Sequence, residues 1–240
     1  MTLTNRLGAT FELPLTMALT KVNHTITVES ERNTGDGSVF TGSSVDPRPF
    51  TIDGALYYKT KSANRDVIDE LKHFLKYAPI EVDRGDSRNI IAYPTSFNAE
   101  YLDDDVEITL SIGMTALDPY FYGAYQTYEQ TLTLPDSIAV APLSEAYPVI
   151  TLAITGTVTD PTLTADGQTI EIAGEYTTGT IIVDCKRMRA TYEGVGIIGA
   201  MNDSWLTDSF ILTQDSTSVA FTATGSYSID VTIEFRPRWL

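Results

Sequence analysis

From residue 227 to residue 236 the chain alternates without interruption. Tyr227, Ile229, Val231, Ile233 and Phe235 fall on one face, and Ser228, Asp230, Thr232, Glu234 and Arg236 on the other. A period of two is the signature of a strand with one buried face, and a helix cannot keep such a set together. The pattern has company. Apolar or alternating runs recur at 149–154, 162–165, 169–172, 180–185, 210–212 and 219–223. Turn chemistry separates them: Asp160-Pro161, Asp166-Gly167, Thr178-Gly179 and Gly225-Ser226. Short strands at close intervals predict an antiparallel β-sandwich for the C-terminal half.

The N-terminal half reads differently. Residues 24–29 alternate, 31–37 are polar and turn-like, and 38–40 resume a strand. Asp46-Pro47-Arg48-Pro49 predicts an edge or a loop, because proline cannot donate to a ladder. Residues 50–58 form either a strand pair or one bent strand. A helix is expected over 64–77, where Val67, Ile68, Leu71, Phe74 and Leu75 make an apolar stripe. Ser62 and Asn64 are candidate N-caps, Asp66 suits the first turn, and Lys72, His73 and Lys76 suit the last. Strands are then expected at 79–82, 90–93 and 106–112. The fold class is mainly β: an α+β N-terminal domain with one helix, then a β-sandwich. The boundary is placed at 125/126, giving domains 1–125 and 126–240.

At that boundary lies Leu117-Asp118-Pro119-Tyr120-Phe121-Tyr122-Gly123. A solvated linker is rich in Gly, Ser and charge. This stretch is aromatic, so Tyr120, Phe121 and Tyr122 are candidate packing residues, within the chain or between subunits.

Composition excludes several functions. The net charge is −16, from sixteen basic and thirty-two acidic residues. That disfavours wrapping nucleic acid, which needs Lys and Arg to displace counterions, and disfavours an anionic membrane surface. No apolar run approaches the roughly 18 residues needed to span a bilayer. Residues 1–6 lack a basic and then apolar secretory pattern, so synthesis in a cytoplasm-type compartment is expected. The one cysteine, Cys185, lies in a strand-like run and is expected to be a buried thiol.

Sites for chemistry are sparse. His24 and His73 are the only histidines. No second His, Cys or carboxylate cluster lies near His73 at metal-ligand spacing, and it reads as a residue of the helix's last turn, with His24 read likewise as a non-ligand in a strand. Asp103-Asp104-Asp105 lacks the alternate spacing and glycine of a calcium loop and reads as a solvated turn. Gly194-Val195-Gly196-Ile197-Ile198-Gly199 has dinucleotide-fingerprint spacing, but Asn202-Asp203-Ser204 interrupts the helix that such a site requires. No nucleophile elbow or phosphate loop is present. A non-enzyme without cofactor or metal is expected. Sugar binding by a sandwich carrying Trp205 and Trp239 stays open as an alternative.

The parts in order resemble the distal tail protein of long-tailed, siphovirus-type bacteriophages. The resemblance rests on 64–71 with the following 90–94, on the Asp118–Tyr122 stretch, on 180–184 followed by Gly194 and 209–212, and on the terminus 235–240. One departure is Gln214-Asp215-Ser216-Thr217, where the family often has a Gly-Asn turn. The resemblance implies a ring-forming N-terminal domain, and a galectin-like sandwich whose final segment packs back on the first domain. It implies a homohexameric ring at the virion tail tip, assembled in the bacterial host cytoplasm. That ring joins the tail tube protein to a tail-tip hub protein, sometimes docks receptor-binding proteins, and leaves a lumen through which DNA passes without specific binding. Another tail component, such as a tube or tail-completion protein, is the other phage reading.

Overall fold

The structure is a computed structural model. It describes all residues except 15, 21–25, 33–37, 58–59, 102–106 and 203–209, and for 26–44 and residue 61 only the backbone. The expectations for His24, for Asp103 to Asp105 and for Trp205 fall outside the described residues. The chain divides into two compact units, Met1–Tyr122 with Leu240, and Gly123–Trp239.

In the first unit the main sheet runs β2 (Thr10–Glu12), β1 (Thr2–Asn5), β7 (Ile80–Asp83), β8 (Asn89–Tyr101), β9 (Glu107–Ala116), β6 (Arg48–Tyr57), β3 (Ala18–Thr20). A short strand, β10 (Phe121–Tyr122), adds to β8 through Tyr122 opposite Asn89. A separate hairpin is formed by β4 (Ile26–Arg32) and β5 (Ser38–Val45).

One helix, α1 (Lys61–Leu75), covers the sheet. Its Ile68, Leu71, Phe74 and Leu75 join Leu3, Ile80, Val82, Ile90, Ile108, Leu110 and Ile112 in one core. The predicted stripe is therefore the buried one, but the start differs. The N-cap is Thr60, whose Oγ1 accepts from Ala63 N at 3.3 Å. Asn64 is fully buried inside the helix, and no acid lies in the first turn. Thr60 was missed because the polar pair further along is the stronger local signal. Lys72 and His73 do occupy the last turn.

Two further corrections concern strand lengths. Arg48 and Pro49 belong to β6, paired with Ala116 and Thr115. Proline is tolerated there because β3 pairs only with Thr51–Asp53, leaving the other side of Pro49 open. In β8 the inward set changes parity, from Ile90 and Ala92 to Phe97 and Ala99, across a bulge between Pro94 and Ser96.

The second unit is built on two long strands, β13 (Val149–Ala165) and β19 (Ser218–Phe235), antiparallel along nearly their whole length. Around their C- and N-terminal ends respectively, β14 (Gln168–Glu171) and β12 (Asp136–Ala139) complete one layer. Around the opposite ends, β11 (Gln126–Leu132), β16 (Gly179–Asp184), β17 (Arg189–Tyr192) and β18 (Val195–Gly196) complete the other. β15 (Glu175–Tyr176) pairs with the middle of β13. The core between the layers holds Ile150, Leu152, Ile154, Leu163, Ile181, Val183, Cys185, Phe221, Ile229, Val231, Ile233 and Phe235. The predicted inward face of the last strand is the observed one, and Cys185 is buried as expected.

The sequence reading divided each long strand in two. The Asp160-Pro161 signal is instead a bulge: β13 spends one more residue than β19 between Thr159 and Thr162. The inward set shifts from Ile154 and Val158 to Leu163 and Ala165, so both halves face the core. Gly225-Ser226 is not a turn either. Gly156 (φ +96°) stands opposite Tyr227, and Gly225 (φ +118°) opposite Val158, at the bend. A Cβ on Gly156 would sit 2.4 Å from Ser226 O, and one on Gly225 2.4 Å from Thr157 O. The layers can share two continuous strands because both bends lack a side chain. The molecule is thus mainly β, with an α+β first unit and a galectin-like sandwich second.

Candidate functional site

Alternation on β9 drives Met114 and Ala116 into the core and then stops at Leu117, which is 64% exposed. Asp118 organises the turn that follows. Its Oδ1 accepts from Tyr120 N at 3.4 Å, and its Oδ2 accepts from the Tyr122 hydroxyl at 2.6 Å. The Asp-Pro-Tyr-Phe-Tyr spacing suits this closure, because residues two and four positions on return to the same carboxylate. Phe121 points inward and is 4% exposed, while Tyr120 and Tyr122 are half-buried.

Around Phe121 lie two cations. The Arg48 guanidinium stands 5.2 Å from the ring centroid and that of Arg84 5.1 Å. Each placement is within cation–π reach. Arg48 is buried, and its Nε and Nη2 meet no acceptor among the described residues. Burial first, and the Arg84 charge second, hold its pKa below the ordinary arginine value. Arg84 spreads its charge toward Asp86, 3.8 Å away on the exposed turn. Sequence reasoning missed Arg48, because prolines on both sides made it read as an edge or a loop. The signal available was an arginine one residue from an apolar run.

In the second unit the connector is pinned by the chain terminus. Gly123 N donates to Pro237 O at 2.9 Å, and Arg236 Nε donates to Gly123 O at 2.9 Å. Arg236 stacks over Tyr125 and Arg238 over Tyr147, at 4.9 and 4.2 Å. Arg238 also pairs with Glu145 at 3.2 Å. A Cβ on Gly123 would come within 3.0 Å of the Trp239 ring, so Trp239 is a half-buried packing residue.

The remaining candidates have structural settings. Gly194 (φ +79°) turns β17 into β18, and a 3-10 turn, Ile198–Ala200, follows, so among the described residues no α-helix N-terminus is offered there to a phosphate. His73 stacks edge-on against Tyr77, with centroids 5.3 Å apart. Among the described residues no group of three His, Cys, Asp or Glu side chains could hold a metal ion. Nor is any helix among them long and apolar enough to cross a membrane. The turn at Gln214, where the family pattern is broken, is closed by Ser216, whose Oγ accepts from Thr213 N at 2.8 Å and donates to Asp166.

Comparison with known proteins places this architecture. Residues 143–239 match the family model for the siphovirus-type tail component, C-terminal domain. No curated protein matches the chain in sequence. Among solved structures it is similar to the Dit protein of SPP1, a paradigm of the hub adsorption apparatus in phages infecting Gram-positive bacteria. That likeness has a TM-score of 0.70 at 20% identity and covers 100% of this chain and 99% of that one. Over its whole length, then, the chain has the fold of a siphovirus distal tail protein, as the sequence resemblance implied. More remote likenesses are to the activated baseplate of phage P2 with calcium, at TM-score 0.46 and 7% identity over 94% of this chain and 93% of that one. The same baseplate with strontium gives TM-score 0.48 and 7% identity over 97% and 96%. Likeness at that level carries no functional weight.

Proposed function

We propose that this protein is a structural component of a siphovirus tail tip, a homohexameric ring that joins the tail tube to the adsorption apparatus. The observation that carries the reading is the match of residues 143–239 to a tail-component family, set in a chain that shares the SPP1 Dit fold along its full length. Architecture and chemistry agree with a role played by packing. The described side chains converge on cores and clamps, and the aromatic stretch is held by Asp118, Arg48 and Arg84. In this reading Tyr120, Phe121 and Tyr122 are packing residues at the end of the ring-forming unit, the proposed boundary standing close to residue 125. The hub protein and receptor-binding proteins are its tail-tip neighbours. The net charge of −16 suits a lumen along which DNA slides without binding, since acids repel phosphate and release no counterions. It acts without enzymatic chemistry, and it is assembled in the host cytoplasm.

Immunogold labelling of intact virions tests this. Antibody against the purified protein is expected at the tail end distal to the capsid, as a single cluster. Labelling along the whole tail would instead mark a tube protein, and no virion labelling would refute the reading.

A further inference from the structure

We infer that the outer edge of β11 is a docking site for an extended segment of another protein, which adds to the sandwich as a strand and carries a basic side chain on its solvent face. β11 runs seven residues and is hydrogen-bonded to β19 on one side only; no described strand pairs with its other side. The other edge strands of this unit are short: four residues in β12 and β14, two in β15 and β18. An unpaired row of N–H and C=O groups of this length templates a further strand, and natural proteins shield such edges with proline, lysine or a bulge. None of these occurs in Gln126–Leu132. Large apolar residues mark both ends, Tyr125 at 73% and Leu134 at 71% exposure.

Charge decides what can dock. The solvent face of the edge carries Glu129, exposed, at the middle of the strand. Beside it on β19 stand Asp230 and Glu234, opposite Thr131 and Thr127. None of the three acids has an ion-pair partner among the described residues, and the next strand offers only Val149, Thr151 and Ala153 to that face. A second copy of β11 is a poor occupant. Antiparallel pairing over the whole strand sets residue 126 against 132 and Glu129 against Glu129, and like charges directly opposed are destabilising. The edge thus rejects itself while favouring a cation opposite Glu129. On the inner side Tyr128 is already stacked on Phe235, at 5.7 Å and 13°, so the edge is preformed. Main-chain hydrogen bonds would supply affinity and the acids would supply selection, the logic of strand addition.

The test uses the full-length protein and short synthetic strand peptides read by fluorescence anisotropy. One peptide is a Thr/Val alternation with a central Lys on one face; the second has Glu in its place; the third is the Lys peptide with alternate backbone amides methylated. The Lys peptide is expected to bind roughly fivefold more tightly than the Glu peptide. The methylated peptide is expected to lose binding, and amide exchange is expected to slow at 126–132. Glu129→Lys, an exposed change, is expected to reverse the peptide preference. Absence of binding by the Lys peptide, equal binding of the methylated one, or an unchanged preference in E129K would overturn the inference.

Discussion

The bend shared by β13 and β19 is the point where the sandwich is most exposed to a single substitution, and three glycines allow its cost to be resolved. Gly196 has no positive φ and open space where a Cβ would go. Gly167 has φ +78° and equally open space. Gly156 has φ +96° and a backbone oxygen 2.4 Å from the would-be Cβ. Gly196→Ala should change stability by no more than about 0.5 kcal/mol. Gly167→Ala adds the left-handed penalty alone, about 1–2 kcal/mol. Gly156→Ala adds a penalty of that kind, and its Cβ needs roughly 1 Å of extra room to reach normal van der Waals distance. Because the obstacle is the main chain of Ser226 and not a side-chain tip, the ladder itself must open, at a further cost of about 1–3 kcal/mol. The sum is about 2–5 kcal/mol. Both tryptophans, Trp205 and Trp239, fall in the second half of the chain, so intrinsic fluorescence in a urea titration reports that unit. With a slope of about 1–3 kcal/mol per molar, G156A should lower the midpoint by roughly 2 M against G196A. A G156A midpoint equal to that of G167A would show that the bend gives way freely, and the account of the two layers would be wrong.

Phe121→Ala should cost about 3–5 kcal/mol of first-unit stability, since it empties a buried ring site and removes the face shared by Arg48 and Arg84; amide exchange of β8 and β9 would report it. Tyr227→Phe should be neutral or stabilising by up to about 1 kcal/mol, because the Tyr227 hydroxyl is buried and meets no partner among the described residues. Thr60→Ala should cost about 1 kcal/mol by uncapping α1, seen as a small fall in thermal midpoint. Burial raises the pKa of Tyr176 and Tyr227. A folded-state value above the unfolded one holds the proton on, so their contribution is complete below the ordinary tyrosine range near pH 10 and is lost as pH climbs through the raised values. A urea midpoint flat from neutrality to about pH 9 and falling above it is expected, with a shallower fall in Y227F.

The inward faces were legible in the sequence wherever alternation met a single buried side. Ile229, Val231, Ile233 and Phe235 could be placed from pattern alone, and so could the helix stripe of Ile68, Leu71 and Phe74. What escaped was continuity. Asp160-Pro161 has turn composition, yet Asp160 adopts φ +49° and exchanges hydrogen bonds with Gly174 through its backbone N and its Oδ1, at 2.9 and 2.7 Å. Those partners lie fourteen residues away, so no local rule finds them. Gly225-Ser226 failed for the same reason, since only the Thr157 carbonyl on the neighbouring strand shows why glycine is needed. At the aromatic stretch, composition at a boundary points to packing but does not single out Phe121, which the structure buries. The Asp118 closure and the pair of arginines depend on β6 and on the turn after β7, distant in sequence.

The assembly state of the purified full-length chain bears most directly on the central claim. Light scattering behind size exclusion should give a mass of about six times 26.3 kDa, with rings of matching symmetry in negative stain. A chain that stays at 26.3 kDa across the concentration range and forms no ring with tail-tip proteins added would contradict it.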